Sequence, residues 1–184
     1  MLEDFGPETV ALAQKGDVNS VTAIYEHFHR SVFRFLYYRV GDRQAAEDLT
    51  SEVFIQMVRN LPGYRPQGVP FNAWLFRIAR NLATDHFRKT GKSGPTRIEE
   101  EATTSSDETD DSVEKIMSSK QLRRALAKLG HDQRDVIVLR FVSGLTLAEV
   151  AVSLNKSLDA VKALQRRGLA SLHDILADGE VMNA

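Results

Sequence analysis

The stretch "TLAEVAVSLNKSLDAVKALQRRG" (Thr146–Gly168) decides the fold of its half of the chain. Thr146 followed three residues later by Glu149 is a capping box, in which each side chain can bond the other residue's backbone amide. The helix that it starts runs to Leu154, the letters "NKS" form a tight connection, and Ser157 can cap a second, longer helix. Two helices joined by so short a turn, the second one basic, predict a helix-turn-helix. Such turns also occur in plain helical bundles, but the pattern favours DNA binding.

The outward side of the second helix carries the side chains expected to contact DNA. Arginine and lysine pair with guanine edges or grip phosphates in the major groove, and a small residue between them allows close approach. The candidate contacts are Ser157, Asp159, Lys162, Ala163, Arg166 and Arg167. The side expected to face the core carries Leu158, Val161, Leu164, Leu172 and Ile175. A merely solvated basic surface is the alternative, and the capped turn ahead of the helix favours DNA contact.

Helical periodicity continues towards the N-terminus, and strand-like alternation is nearly absent. Two apolar stripes predict long helices on either side of "GDRQ" (Gly41–Gln44). The segment "PGYRPQGVP" (Pro62–Pro70) must be a loop, because prolines and glycines break helices. From about Thr90 to Ser112 the chain has too few aliphatic side chains to offset the entropy of ordering. We therefore expect an all-α protein with two small helical domains, residues 1–90 and 113–184, joined by a flexible acidic linker, residues 91–112.

The helix "FNAWLFRIARNLATDHFRK" (Phe71–Lys89) has apolar residues on two opposite sides. One side has the spacing of a core stripe: Phe71, Leu75, Ile78 and Leu82. The other side interleaves Phe76 and Phe87 with arginines. Proteins hold single-stranded nucleic acid in this way, since bases stack on rings while guanidinium groups neutralise phosphates. Alternatively, both rings pack on another helix of the domain, and the sequence leaves the two interpretations open.

The helix before it, within "AAEDLTSEVFIQMVRNL" (Ala45–Leu61), carries a continuous row on its polar side. The row consists of Asp48, Glu52, Ile55 and Arg59. Acidic residues around an exposed isoleucine are typical of a protein-docking surface. A single stray aliphatic residue on a solvated face is also common, so the local pattern does not decide between these interpretations.

The net charge of −1 hides an uneven distribution along the chain. Residues 1–98 hold 13 Lys/Arg and 10 Asp/Glu, and residues 115–184 hold 11 and 7. The intervening residues 99–114 hold eight acids and no basic residue. Two mildly basic blocks are thus joined by an acidic strip, and each block alone could approach a polyanion.

Several functional classes find no support in the sequence. The chain has no cysteine, which excludes a disulfide framework and a thiolate metal site. His27 and His29 are two residues apart on a helix, so their side chains diverge and cannot bind one metal ion together. There is no phosphate-binding glycine loop and no nucleophile-elbow pattern, so we expect no enzyme, no metal and no cofactor. Neither a signal peptide nor a membrane span is recognisable, and we expect a cytoplasmic protein.

Four stretches, taken in order, resemble the signature segments of extracytoplasmic-function sigma factors of the sigma-70 family. They are "AAEDLTSEVFIQMVRNLPGY", "FNAWLFRIARNLATDHFR", "LAKLGHDQRDVIVLRFVSGLTLAEVA" and "SLDAVKALQRRGLASL". The resemblance covers most of residues 20–177 outside the linker. It implies a nonenzymatic promoter-recognition subunit with core RNA polymerase (the β′ clamp helices and the β subunit) and promoter DNA as partners. An anti-sigma factor is a further candidate partner.

The resemblance also implies roles for the three surfaces. The row Asp48, Glu52, Ile55 and Arg59 falls where the family docks on the β′ clamp helices. The loop and helix beyond it fall where the family opens the minus-ten element; the candidates there are Tyr64, Asn72, Trp74, Arg77, Arg80, Asn81, Thr84 and Arg88. The last helix falls where the family reads the minus-thirty-five element as duplex. The linker falls where the family threads a segment through the active-site and RNA-exit channels.

The sequence departs from the usual family pattern in its last helix, and two alternative functions stay open. Many relatives are more basic where this chain has Leu164, Gly168 and Leu169, and a glycine inside a helix costs about 1 kcal/mol relative to alanine. A stand-alone helix-turn-helix regulator would bind duplex operator DNA without polymerase, as a dimer. A helical interaction protein would have no DNA role at all.

Overall fold

The computed structural model describes residues 6–66, 68–91 and 113–181, and in these ranges every regular element is helical. In chain order the elements are α1 (Pro7–Gln14), α2 (Val18–Val40), α3 (Arg43–Asn60), a 3-10 turn (Leu61–Gly63), α4 (Phe71–Thr90), α5 (Val113–Lys128), α6 (His131–Ile137) with a π-helical continuation (Val138–Val142), α7 (Leu147–Leu154) and α8 (Leu158–Val181). The predicted all-α fold is confirmed. The predicted linker, residues 91–112, lies outside the described residues from residue 92 onward. Within the described ranges, no helix has the length and apolar character needed to span a bilayer.

Short polar signals set the boundaries of α2 and α3. Asp17 caps α2 by accepting hydrogen bonds from the hydroxyl and the backbone N–H of Ser20, at 2.6 and 2.8 Å. These two bonds hold the pKa of Asp17 below its usual value. Gly41 ends α2 with a φ of 80°, a left-handed conformation that glycine adopts without strain, and Asp42 caps α3 directly afterwards. The short link turns the chain back, so α2 and α3 pack side by side.

The core of the N-terminal half lies between α2, α3 and α4. Leu75 and Phe76 of α4 are fully buried, and the Phe76 ring meets Phe35 of α2 edge to face, with centroids 5.8 Å apart. Other buried side chains are Ile24, Phe28, Val32, Leu36, Val53 and Met57. Phe76 is therefore a core residue. Phe87 is half-buried, with the Arg39 guanidinium 5.9 Å from its ring centroid.

In the C-terminal half, Arg134 ties α6 to the end of α5. This buried guanidinium donates hydrogen bonds to the backbone carbonyls of Leu126, Ala127 and Leu129, at 2.8, 2.8 and 3.0 Å. The last carbonyls of a helix have no partner within it, so the cation satisfies them and complements the negative end of the helix dipole. Burial lowers the pKa of Arg134, although an arginine side chain remains charged in proteins.

The predicted helix-turn-helix is present. The Glu149 N–H donates to the Thr146 hydroxyl at 3.2 Å, and the Thr146 N–H donates to the Glu149 carboxylate at 2.7 Å. α7 ends at Asn155, whose φ of 52° is left-handed, a conformation that asparagine tolerates better than most residues. The Ser157 hydroxyl caps α8 by accepting a hydrogen bond from the N–H of Ala160, at 3.2 Å.

Helix α8 crosses α6 at Gly168. A Cβ at this position would lie 3.0 Å from Cγ1 of Ile137, so the glycine permits a close approach of the two helices. The buried part of α8 begins at Val161. The prediction that Leu158 faces the core is wrong: Leu158 is the first residue of α8 and is exposed, ahead of the buried part. α8 ends at Val181.

Phe76→Ala should lower the free energy of unfolding by about 3–5 kcal/mol, because it removes a buried ring and leaves a cavity. Urea unfolding followed by circular dichroism measures the loss. The control Phe141→Ala removes the same ring from a side chain that is 56% exposed, and should change the free energy of unfolding by at most about 0.5 kcal/mol. Similar losses for both variants would contradict a core position for Phe76.

Gly168→Ala tests the close crossing of α6 and α8. Alanine favours a helix by about 1 kcal/mol over glycine, but overpacking against buried Ile137 costs about 1–3 kcal/mol. We therefore expect the variant to have a free energy of unfolding about 1 kcal/mol below that of the natural chain. A more stable variant in the same urea experiment would show that helix propensity dominates and that the crossing is looser.

Candidate nucleic-acid and protein interfaces

The docking row of Asp48, Glu52, Ile55 and Arg59 lies along the outer side of α3. Glu52 is half-buried, and the other three side chains are exposed. The side-chain amides of Gln44 and Gln56 donate hydrogen bonds to Asp48 and Glu52, at 3.2 and 3.1 Å. These neutral donors orient the carboxylates and leave their charge in place.

An apolar patch interrupts the docking row. Ile55 is 45% exposed and Val58 beside it is 48% exposed. The sequence pattern indicated Ile55 but not Val58, which lies three residues further along the same helix. Two adjacent exposed aliphatic side chains flanked by charge are a better protein contact than either alone, since burying their area is favourable.

The α8 basic face consists of Ser157, Asp159, Lys162, Ala163, Arg166 and Arg167. Ala163 is half-buried, and the other five are exposed, as the sequence predicts. The ammonium of Lys162 lies 3.8 Å from the Asp159 carboxylate. Behind the face, Lys156 in the turn forms an ion pair with Asp132 of α6 at 2.9 Å, which ties the turn to the body of the domain. The structure therefore presents the cationic side chains of Lys162, Arg166 and Arg167 together on one outward side of a capped helix.

Tyr64 and Trp74 lie at the base of the loop before α4. Tyr64 is buried, and its hydroxyl donates a hydrogen bond to the Val69 carbonyl at 2.8 Å. The Gln14 side chain of α1 donates to the Tyr64 carbonyl at 2.8 Å. The rings of Tyr64 and Trp74 lie 4.9 Å apart, and Trp74 is half-buried. A cavity of about 410 Å³ separates α1 from this loop. Tyr64 therefore shapes the loop, while Trp74 retains an accessible edge.

The remaining candidates on α4 divide into an exposed and a covered group. Asn81, Thr84 and Arg88 are exposed, and Arg88 forms an ion pair with Asp85 at 3.1 Å. Asn72 is buried and Arg77 and Arg80 are half-buried. We call these six residues together the α4 strand face.

Two members of the covered group, Asn72 and Arg77, lie against α7 of the other half. The Asn72 amide donates a hydrogen bond to the Glu149 carboxylate at 3.1 Å, and the Arg77 guanidinium donates to the Val152 carbonyl at 2.9 Å. The Ser153 hydroxyl donates to the carbonyl of Ala73, at 3.2 Å. The first helix of the helix-turn-helix therefore occupies part of the surface that the sequence assigned to DNA.

A second contact between the halves is a buried ion pair of Arg39 on α2 with Asp135 on α6. Arg39 also donates a hydrogen bond to the Thr84 hydroxyl at 3.3 Å. Burial raises the pKa of the Asp135 carboxyl, and the nearby guanidinium groups of Arg39, Arg80 and Arg134 oppose that rise. The sequence pattern did not indicate this pair. One signal was available: Arg39 lies four residues after Phe35, on the buried stripe of α2.

Several polar atoms at this interface are buried without a hydrogen-bond partner among the described residues. They include Oδ1 of Asn72 and the Nε atoms of Arg39, Arg77 and Arg80. In the same described ranges, no group of three or more histidine, aspartate or glutamate side chains is placed to hold a metal ion.

Two segments of the chain match sigma-70 family models. Residues 24–93 match Sigma-70 region 2, and residues 125–174 match Sigma-70, region 4. Among curated proteins, the chain is 37% identical to the ECF RNA polymerase sigma factor BldN of Streptomyces coelicolor, over 93% of this chain and 66% of BldN. It is 32% identical to the ECF RNA polymerase sigma factor SigX of Bacillus subtilis, over 81% of this chain and 79% of SigX. It is 30% identical to the ECF RNA polymerase sigma factor SigD of Mycobacterium tuberculosis, over 93% of this chain and 84% of SigD. The chain thus spans about two thirds of BldN and more of the other two.

Two solved structures share the fold. CnrH, solved in complex with the cytosolic domain of CnrY, has a TM-score of 0.72 at 22% identity, over 93% of this chain and 96% of CnrH. The sigma factor RpoE from Bartonella quintana, solved with the anti-sigma factor NepR, has a TM-score of 0.71 at 22% identity, over 87% of this chain and 98% of RpoE.

Proposed function

The chain belongs to the extracytoplasmic-function RNA polymerase sigma factors of the sigma-70 family, and from this premise we propose that it binds core RNA polymerase and directs it to a subset of promoters. The observation that carries the proposal is the α8 basic face. It is exposed on a capped helix-turn-helix, inside the segment that matches region 4. The protein acts by binding, without catalysing a reaction of its own, where polymerase and chromosome are found, in the cytoplasm.

Each surface has a proposed task. The docking row of α3, with Ile55 and Val58 at its centre, contacts the clamp helices of the polymerase β′ subunit. The α4 strand face and Trp74 hold the non-template strand of the minus-ten element, where ring stacking and guanidinium contacts offset a few kcal/mol of unstacking per extruded base. The α8 basic face reads the minus-thirty-five element as duplex.

The domain boundaries and the remaining partners are also proposals. The segments that match the two regions lie almost wholly within the proposed domains, residues 1–90 and 113–184. The acidic linker would thread through the polymerase channels towards the β subunit. An anti-sigma factor is a candidate partner, because a structure that shares the fold was solved with one. The stand-alone regulator is not favoured, since it leaves the region 2 match and the docking row without a role.

Transcription with purified core polymerase tests the proposal. Transcript starts mapped after overexpression supply a promoter template, and the protein should produce a run-off transcript from it that core polymerase alone does not produce. A gel shift on the same DNA, with and without core polymerase, separates the alternatives. Tight binding by the protein alone, with no effect of polymerase, would support the stand-alone regulator and defeat the proposal.

Arg166→Ala tests the α8 basic face. Loss of one base or phosphate contact should weaken binding of the holoenzyme to promoter duplex by about 1–3 kcal/mol and reduce the salt dependence by about one phosphate contact. Lys15→Ala removes the same charge from the exposed end of α1, away from this face, and should leave the affinity unchanged. Equal effects of the two variants would indicate a general charge effect and not a site.

A further inference from the structure

We propose that Asp159 and Lys162 together read one C·G base pair in the duplex that the α8 basic face contacts. The Asp159 carboxylate accepts a hydrogen bond from N4 of the cytosine, and the Lys162 ammonium donates to the guanine of the same pair. The inference rests on the proposed function of that face and names one base pair of its target. It makes Asp159 a residue that determines specificity at the expense of general affinity for DNA.

Asp159 is the one acid among the six residues of the α8 basic face, and its side chain is 97% exposed. It lies two residues after Ser157, which caps α8, and residues in the first turn of a recognition helix contact base edges. A carboxylate turned towards duplex DNA is repelled by the phosphates. In the major groove, the base groups that can donate a hydrogen bond to it are N4 of cytosine and N6 of adenine. Asp159 therefore restricts which base can lie against the start of α8.

Lys162 places a donor beside this acceptor. Its ammonium lies 3.8 Å from the Asp159 carboxylate, and both side chains are exposed. The separation exceeds that of a hydrogen bond, which is about 2.7–3.2 Å. The ammonium thus shields the charge of the carboxylate without taking the place of a base donor. One exposed turn of α8 therefore presents an acceptor and a donor side by side.

This arrangement matches the major-groove edge of one C·G pair. Cytosine N4 donates and guanine O6 accepts, and the two atoms lie about 3 Å apart, since a base-pair hydrogen bond joins them. A carboxylate over N4 and an ammonium over O6 would form both contacts in one register. An A·T pair also places a donor beside an acceptor, but thymine offers one acceptor next to a methyl group, whereas guanine offers both O6 and N7. The C·G pair therefore suits Asp159 and Lys162 better.

The neighbouring residues of the face supply what Asp159 takes away. Ala163 lies four residues after Asp159 and so beside it on the helix, and its methyl group permits a close approach to the bases. Arg166 and Arg167 are exposed one turn further on, where guanidinium groups can attract phosphates of any sequence. Affinity then comes mainly from the arginines, and Asp159 lowers the affinity for every duplex that lacks the cytosine.

A purely structural role for Asp159 makes a different prediction. A carboxylate in the first turn also stabilises a helix by interacting with its dipole. Loss of that stabilisation alone would weaken binding to all duplex sequences alike. Base preference, measured position by position, therefore separates readout of a base from support of the helix.

Holoenzyme assembled from core polymerase and the protein tests the inference. Each position of the minus-thirty-five element in the mapped promoter is replaced by each of the four bases, and competition gel shifts compare the affinities. The natural chain should prefer C·G by about tenfold at one position. Asp159→Ala should reduce that preference to within about twofold and leave the other positions unchanged. Asp159→Asn should move the preference to adenine, because an asparagine amide pairs with N6 and N7 of adenine.

Two further variants locate the effect. Lys162→Ala should weaken the preference at the same position, since the guanine that it contacts belongs to the same base pair. Asp174→Ala is the matched control, because it removes the same charge from an exposed side chain of α8 that pairs with His173. Asp174 lies about 22 Å further along the helix axis than Asp159, so its loss should change no base preference.

The outcomes distinguish two failures. Unchanged base preferences in Asp159→Ala, changes at different positions in Asp159→Ala and Lys162→Ala, or a preference for A·T in the natural chain would each overturn the inference alone. A natural chain whose holoenzyme gives no transcript and distinguishes no bases at any position would overturn the proposed function and the inference with it.

Discussion

Helix α4 is buried on two sides, and the arrangement of its neighbours follows from this constraint. Leu75 and Phe76 face the core formed with α2 and α3, while Ala73 faces α7 of the other half. A helix that is apolar on both sides must lie between two layers, because either side alone would expose apolar area to water. Ala79 and Ala83, also fully buried, allow the flanking helices to approach closely. The C-terminal half therefore covers a helix that also belongs to the core of the N-terminal half.

The contact between the halves differs in chemistry from their cores. The cores are aliphatic and aromatic, whereas the contact includes a buried ion pair and two hydrogen bonds from side chain to backbone among the described residues. A buried ion pair contributes little net stability, since desolvation offsets much of the attraction, but it is sensitive to the loss of either partner. Arg39 and Asp135 thus fix one relative position of the two halves but contribute little net stability to it.

The surfaces assigned to partners differ in accessibility for the same reason. The docking row of α3 and the basic face of α8 lie on the sides of the two halves that are turned away from the contact between them. Part of the strand face of α4, including Asn72 and Arg77, lies at that contact. The surfaces are therefore unequally accessible, since the contact between the halves covers part of the α4 strand face and leaves the other two surfaces exposed. Structures at 22% identity with TM-scores of 0.72 and 0.71 show that the fold itself is shared.

The helices, their caps, the helix-turn-helix and the exposed rows of α3 and α8 are determined by the sequence itself. Each depends on residues a few positions apart: Thr146 with Glu149, or Ser157 with Ala160. Periodicity also shows which sides of a helix are apolar, but not which element covers them, so it left Phe76 undecided between core and DNA. Only the tertiary structure decided that Phe76 lies in the core. The partners of Asn72 and Arg39 lie 77 and 96 residues away, and no local pattern records such a contact. Their positions depend on how the two halves of the chain pack together, because the free energy of that packing belongs to the assembled surfaces and not to any one segment.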